Sequence, residues 1–123
     1  MLHKIKLKEF NHIFVTDAFN KDFEAMLGKD KGNKMRYQKW LFTWLGQLDV
    51  LSRAEISKLD VVELVKGCDP LLFSLRNNRS KLNPRYLFAY FDGDDIVLLT
   101  VFKEKSSKDY DAGIVHAQNI RKA

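Results

Sequence analysis

The sequence is poor in the residues that build disulfides, metal clusters and flexible chains. It has one cysteine, two prolines and six glycines in 123 residues. Because Cys68 stands alone, an internal disulfide and a thiolate metal cluster are both excluded. His3, His12 and His116 are too scattered for a ligand pair at helical spacing, and no glycine-rich phosphate loop is present. We therefore expect neither a metal nor an organic cofactor.

Long hydrophobic runs are also missing. The longest apolar stretches, such as residues 96–99, are far too short to cross a bilayer, and Lys6, Lys8 and Glu9 interrupt any signal-peptide core. With 46% hydrophobic and 12% aromatic residues, the chain is nevertheless typical of a globular protein and not of a disordered one. We expect one domain over residues 1–123, in the cytoplasm and without membrane contact.

Positive charge is in excess and is unevenly placed. Lys and Arg number 21 against 16 Asp and Glu, for a net charge of +5, which favours an anionic partner. Residues 29–39 hold five basic residues and one acid, and residues 76–85 hold four basic residues and no acid. A solvated face explains such a patch as well as RNA binding does. The candidate RNA- or ribosome-binding residues are Lys29, Lys31, Lys34, Arg36, Lys39, Arg79, Lys81 and Lys103.

The first half of the chain predicts a strand followed by three helices. Alternating apolar and charged residues from Ile5 predict a half-buried strand that runs toward Val15. Thr16 and Asp17 are both suitable caps for a helix that ends at Gly28, and Ser52 and Glu55 should form the capping box of a short third helix. The strongest helix pattern lies between them, with one apolar face at i, i+3, i+4, i+7, i+8 and i+11. That face consists of Tyr37, Trp40, Leu41, Trp44, Leu45 and Leu48.

The second half predicts strands and a final helix. Residues 61–65 read as an extended segment, and three strands rich in aliphatic and aromatic residues are expected at 71–76, 85–91 and 96–102. The last helix should run from about Ser107 to Lys122. Because helices and strands are segregated, the predicted class is α+β, with N-terminal helices and a C-terminal helix on a small, mainly antiparallel sheet.

Two arginines stand at the joined ends of neighbouring predicted strands. Arg76 ends one strand and Arg85 begins the next. If these strands form a hairpin, both guanidinium groups can approach one phosphate, which their forked donors bind bidentately. Lys105 and Lys108 follow the last strand. A solvated basic rim is the alternative interpretation of the same residues.

The last fifty or so residues resemble the RelE/HigB family of bacterial toxin–antitoxin toxins, in particular its phage-derived HigB-like branch. The resemblance rests on a strand ending in Leu-Arg (72–76), a strand opening with Arg (85–91), a strand leading to a lysine-rich loop (96–105), and a helix with Ala117 and Arg121. It implies a RelE-like fold and a ribosome-dependent mRNA endonuclease (an mRNA interferase). It also implies inhibition by a cognate helix-turn-helix antitoxin in a toxin–antitoxin hetero-oligomer.

The resemblance also implies roles for particular residues. It places two arginines at phosphate-binding positions and two lysines in the loop before the last helix, where they would assist attack by the RNA 2′-OH without a metal. Some members carry a catalytic tyrosine where this sequence has Ile114, so Tyr110 or His116 is expected to donate the proton. Some also carry a basic residue where Ser74 stands. The candidate catalytic residues are Arg76, Arg85, Lys105, Lys108, Tyr110 and His116.

Two other functions fit the same sequence. One is a non-catalytic toxin of the ParE type, which acts on DNA gyrase. The other is a nucleic-acid-binding adaptor domain without catalysis. The presence of Lys103, Lys105 and Lys108 together with Arg76 and Arg85 favours the nuclease.

Overall fold

Strands from both halves of the chain form one six-stranded sheet in a computed structural model, which describes residues 2–122. In chain order the strands are β1 (Ile5–Lys6), β2 (Ile13–Val15), β3 (Val62–Leu64), β4 (Phe73–Arg76), β5 (Pro84–Phe91) and β6 (Asp95–Lys103). The helices are α1 (Asp17–Leu27), α2 (Lys31–Val50), α3 (Arg53–Ile56) and α4 (Ser107–Lys122).

The strand order is β1-β2-β6-β5-β4-β3, and every neighbouring pair is antiparallel except β2 and β6. Helices from both ends of the chain pack on this sheet. The predicted α+β class with a mainly antiparallel sheet is therefore confirmed, and the layout is compatible with a small RelE-like fold.

The prediction of one half-buried strand from Ile5 toward Val15 is wrong. The segment instead folds into the short antiparallel pair β1 and β2, and both residues of β1 are exposed. The chain turns between them because its backbone N–H groups find partners outside the ladder. Asn11 and His12 donate to the carboxylate of Asp49 on α2, at 2.9 and 2.6 Å.

The helices begin and end where their capping residues predict. The Thr16 hydroxyl accepts a hydrogen bond from the Phe19 N–H at 3.0 Å, and α1 is followed by Gly28 at φ 67°, a conformation that suits glycine. Ser52 and Glu55 form the expected capping box of α3. The apolar face of α2 is also confirmed: Tyr37, Leu41, Leu45 and Leu48 are buried, and Trp40 and Trp44 are half-buried.

Helices cover both faces of the sheet, so its central strands are buried on both sides. Tyr86 and Phe88 of β5 face the cluster formed with α1 and α2, whereas Leu87 and Ala89 face the cluster that contains Ala117 of α4. Side chains alternate between faces along a strand. Two covered faces therefore explain why β5 reads as a continuous apolar and aromatic run.

The last helix is attached to the sheet by a close approach and by an arginine. Gly113 of α4 lies directly over the ring of Phe102. Near the end of the helix, Arg121 donates hydrogen bonds to the carbonyl oxygens of Pro70 and Leu71, at 2.6 and 2.7 Å. The first contact lies beside the end of β6, and the second lies just before the start of β4. None of the described helices combines the length and the apolar character that crossing a membrane requires.

Two of the glycines inside helices, Gly113 and Gly46, should respond oppositely to alanine. A Cβ at Gly113 would lie less than 3.0 Å from ring carbons of Phe102, so Gly113→Ala should displace that ring and lower the free energy of unfolding by about 1–3 kcal/mol. At Gly46 the nearest atom, in Phe10, is 3.9 Å away. Gly46→Ala should therefore raise stability by up to about 1 kcal/mol. Urea denaturation measures both, and equal effects of the two substitutions would contradict the close packing at Gly113.

Candidate functional site

Four charged or phenolic side chains meet in a cleft at one end of the sheet. The cleft has a volume of about 340 Å³ and is lined by Glu63, Arg85, Glu104, Ser107 and Tyr110. We call it the arginine–glutamate cleft. Its residues come from β3, from β5, from the segment after β6, and from the first turns of α4.

Arg85 is buried at the centre of this cleft and is fully occupied by protein partners. Its side chain is 5% exposed. It donates to both carboxylate oxygens of Glu104 at 2.8 and 3.1 Å, to Glu63 at 3.2 Å and to the hydroxyl of buried Ser74 at 2.9 Å. The Tyr110 ring covers the guanidinium, with 4.6 Å between the guanidinium carbon and the ring centre. Arg85 therefore holds the cleft together.

Arg76 lies beside Arg85 but is more accessible. The two residues are direct partners across β4 and β5, as the hairpin prediction requires. Arg76 donates to Glu63 at 2.9 Å, and its other terminal nitrogen lies 3.8 Å from Glu104. Its side chain is 28% exposed. Of the two guanidinium groups, that of Arg76 is the one that a phosphate can reach.

Glu63 bridges both arginines and is the most exposed charged group of the network, at 45%. Burial, the largest single influence, raises the pKa of Glu63, but hydrogen bonds and charges from Arg85 and Arg76 together bring it below its ordinary value. The carboxylate is therefore ionised at neutral pH. It can accept a proton from a group that enters the cleft.

Tyr110 lines the cleft with its phenol. Burial raises the pKa of Tyr110 above its ordinary value, although the charge of Arg85 opposes the change. The phenol consequently stays protonated at neutral pH, which is the state a proton donor requires. Ile114, where some members of the resembled family place a tyrosine, packs in the apolar cluster between α4 and the sheet.

His116 does not line the arginine–glutamate cleft. It lies on α4 facing α1, where its Nε2 is 3.0 Å from a carboxylate oxygen of Asp22. The same oxygen accepts a hydrogen bond from Thr100 at 2.5 Å. Of the two expected proton donors, only Tyr110 is therefore placed beside the arginines.

Of the three lysines before or at the start of α4, only Lys105 lies in the loop; Lys103 ends β6, and Lys108 lies in the first turn of α4. Lys103, Lys105 and Lys108 are all exposed, and the cleft is lined in this region by Ser107. Asp109 accepts hydrogen bonds from the backbone N–H groups of residues 105 and 106 at 2.9 and 3.1 Å, which fixes the loop. None of these three lysines is among the residues that line the cleft.

The other predicted RNA-binding residues form an exposed basic surface. Lys29, Lys31, Lys34, Arg36 and Lys39 are exposed on α2 or just before it, and Arg79 and Lys81 are exposed on the β4–β5 loop, residues 77–83. Three of these residues share a second cleft between α2 and that loop. We call it the basic cleft; it is lined by Asn33, Arg36, Tyr37, Trp40, Asn77, Arg79, Ser80, Lys81 and Leu82.

Glu63 and Glu104 of the arginine–glutamate cleft are not among the candidate site residues predicted from the sequence. Glu63 lies in the segment predicted to be extended, and Glu104 stands between two lysines of the predicted basic loop. A signal for Glu63 did exist, since it is the one acidic residue inside an apolar, β-branched segment. Pairing with the arginines depends on the strand order, with β3 at the sheet edge beside β4, and local sequence does not specify that order.

Within residues 2–122, no group of three or more His, Cys, Asp or Glu side chains is arranged to hold a metal ion. No protein-family model, curated protein or solved structure matches the chain. The interpretation of the site consequently rests on its own geometry.

Removing Arg85 should destabilise the fold far more than removing Arg76. Arg85→Ala leaves Glu104 and Glu63 without their buried partner and should lower the free energy of unfolding by about 3–5 kcal/mol. Arg76→Ala removes a partly exposed pair and should cost about 1 kcal/mol or less. Urea denaturation at pH 7 measures both. Equal costs would contradict the central position of Arg85.

The acid stability of the protein should depend on Glu63. Its folded-state pKa lies below the unfolded value of about 4.3. Ionised Glu63 therefore adds stability above about pH 4.3, and that stability is lost as the pH falls through the folded-state pKa. Urea midpoints between pH 7 and pH 3 should fall less steeply for Glu63→Gln than for the unchanged protein. Glu24→Gln, at an exposed position of α1, is the control and should follow the unchanged protein.

Proposed function

We propose that the protein is an endoribonuclease that cleaves mRNA by attack of the RNA 2′-OH on the adjacent phosphate. The observation that carries this proposal is the arginine–glutamate cleft. An ionised carboxylate, that of Glu63, and a protonated phenol, that of Tyr110, line one space of about 340 Å³. The partly exposed guanidinium of Arg76 lies beside this space and donates to Glu63 at 2.9 Å. These three groups are a base, an acid and a phosphate-binding cation.

In the proposed reaction, the 2′-oxygen forms a bond to phosphorus while the bond from phosphorus to the 5′-oxygen breaks. Glu63 accepts the proton of the 2′-OH, and Tyr110 donates its proton to the departing 5′-oxygen. Arg76 stabilises the negative charge that develops on the phosphate oxygens. The products are a 2′,3′-cyclic phosphate and a 5′-hydroxyl end, and no protein nucleophile is consumed.

Arg85 acts in this proposal as a positioning residue. It is 5% exposed and already hydrogen-bonded to two carboxylates. It therefore makes no direct contact with the phosphate and acts on it only through longer-range electrostatics. It fixes the orientation of Glu63 and supports the ring of Tyr110. This differs from the phosphate-binding role that the resemblance to the RelE/HigB family implies for it.

The exposed lysines around the site would bind the RNA and the ribosome. Lys103, Lys105 and Lys108 are exposed and lie next in sequence to the cleft residues Glu104 and Ser107, and the basic residues of α2 are exposed as well. Such contacts supply sequence-independent affinity for phosphates. Together with the resemblance, they support a cytoplasmic, ribosome-dependent mRNA interferase that is neutralised by a cognate antitoxin.

A second candidate function follows from the charge of the cleft. Arg85 in the cleft and Arg76 beside it are each paired with a carboxylate, so a phosphate must compete with Glu63 for them. That balance favours a binding protein without catalysis, either a ParE-like toxin or an adaptor domain. The two candidates differ in whether new RNA ends are produced.

Mapping of mRNA 5′ ends in cells that express the protein tests the nuclease. We expect discrete new ends within translated codons. Tyr110→Phe keeps the ring on Arg85 but removes the proton, and it should lower cleavage by about 10²–10⁴-fold. Arg76→Ala should lower it by about 10²–10³-fold.

Tyr90→Phe is a matched control for the tyrosine. Tyr90 also covers a guanidinium, that of Arg53, with 4.1 Å from the guanidinium carbon to the ring centre, but it lies outside the cleft. Removal of the Tyr90 hydroxyl should therefore leave mRNA cleavage unchanged. Absence of new RNA ends, or cleavage in ribosome assays of an RNA with a 2′-deoxy group at the scissile nucleotide, would reject the proposed reaction.

A further inference from the structure

The basic cleft lies outside the proposed reaction, and its charge is not balanced. Arg36, Arg79 and Lys81 line it without any acidic side chain. Among the described residues, no carboxylate lies within 4.0 Å of these three cations. This contrasts with the arginine–glutamate cleft, where every guanidinium has a carboxylate partner. Here an anion competes with no carboxylate, although one terminal nitrogen of Arg36 already donates to the amide oxygen of Asn33 at 2.6 Å.

The same cleft presents aromatic surface beside its cations. Trp40 packs on Tyr86 with a ring-centre distance of 5.9 Å and an interplanar angle of 18°, and it also lines the basic cleft. The stacking on buried Tyr86 therefore holds the Trp40 ring in position. A simple anion needs only the cations, whereas a nucleotide also has a base that binds aromatic rings.

The size of the basic cleft fits one nucleotide. Its volume is about 520 Å³, within the range of about 300–1,000 Å³ that is typical of small-molecule sites. The amide groups of Asn33 and Asn77 add hydrogen-bonding groups to the lining.

The β4–β5 loop connects the basic cleft to the arginine–glutamate cleft. On one side, the Leu82 N–H donates to the hydroxyl of Tyr37 on α2 at 3.0 Å. On the other side, Asn83 donates to the carbonyl of Glu104 at 2.8 Å and accepts from its N–H at 3.1 Å. One short loop therefore holds both clefts in a fixed relation at the same end of the sheet.

From these observations we propose that the basic cleft binds one nucleotide of a single-stranded RNA. Its phosphate would contact Arg36, Arg79 and Lys81, and its base would lie against Trp40. The choice of RNA as the ligand rests on the proposed function. In that function, the rest of the RNA strand would pass over the β4–β5 loop to place the scissile phosphate in the arginine–glutamate cleft. The subsite would hold the substrate in register outside the reacting bond.

A binding experiment with uncleavable RNA tests the subsite separately from catalysis. The probe is a fluorescein-labelled hexanucleotide that is 2′-O-methylated throughout, and its affinity is measured by anisotropy at several salt concentrations. Arg79→Ala/Lys81→Ala should weaken binding about 10-fold or more. It should also reduce the slope of log affinity against log salt by about 1.4, which is about 0.7 for each lost phosphate contact.

The control removes the same charge elsewhere. Lys58 and Lys66 are exposed and lie in neither cleft, so Lys58→Ala/Lys66→Ala should retain most of the affinity and the salt slope. Trp40 is observed directly in a Trp44→Phe background, because the chain has only two tryptophans. Its fluorescence should be quenched when the RNA binds.

The outcomes separate this subsite from the proposed reaction. Equal losses in the two double variants, or unchanged Trp40 fluorescence at saturating RNA, would overturn the subsite. Competition by adenosine or uridine monophosphate at the affinity of the hexanucleotide would overturn its assignment to an RNA chain. RNA binding at this site by a protein that yields no new mRNA ends would support the subsite and overturn the nuclease.

Discussion

The candidate site depends on one buried cation. Arg85 links β5 to the Ser74 hydroxyl on β4, to Glu63 on β3 and to Glu104 after β6, while the ring of Tyr110 on α4 covers it. Burying a guanidinium costs free energy unless its donors are satisfied. The position of each partner is consequently coupled to the others. The network fixes the end of the sheet where the reacting groups of the proposed enzyme lie.

This arrangement gives the two arginines different roles: Arg85 holds the network together, and Arg76 is the one available to bind a phosphate. Sequence reasoning treats Arg76 and Arg85 as equivalent, since each stands at the joined end of a predicted strand. In the fold the side chain of Arg76 is 28% exposed, whereas that of Arg85 is 5% exposed. Direct pairing of the strands was predictable, whereas unequal burial was not, because it depends on α4 covering Arg85 and leaving Arg76 at the edge.

The fold could be predicted from local patterns to a large extent. Caps at Thr16 and Ser52, the apolar face of α2 and the strands β4 to β6 all appear where the sequence indicates. The break between β1 and β2 could not be predicted in this way. The turn after β1 depends on Asp49, which is distant in sequence and accepts hydrogen bonds from two backbone N–H groups of that turn. Long-range partners of this kind leave no periodic pattern.

Of the charged residues at the candidate site, only the cations could be predicted from the sequence. A run of basic residues is visible in a sequence, but the carboxylates that neutralise part of it are brought in by strand order. Glu63 joins the arginines because β3 pairs with β4 at the edge of the sheet. Glu104 joins them because the segment after β6 lies beside the start of β5. A sequence-based count of positive charge therefore overestimates the charge of the cleft itself.

The net charge of +5 thus has a more specific meaning than a general affinity for anions. At the arginine–glutamate cleft, Arg85 and the neighbouring Arg76 are matched by Glu63 and Glu104, so this part of the molecule contributes little long-range attraction. The unpaired cations lie on α2, on the β4–β5 loop and on the loop before α4. Attraction and positioning of RNA would come from that outer surface. The balanced cleft would act only when a phosphate is delivered close enough to compete with Glu63 for Arg76. Within the cleft, hydrogen bonds and charges from the two arginines keep the carboxylate of Glu63 ionised, and burial keeps the phenol of Tyr110 protonated.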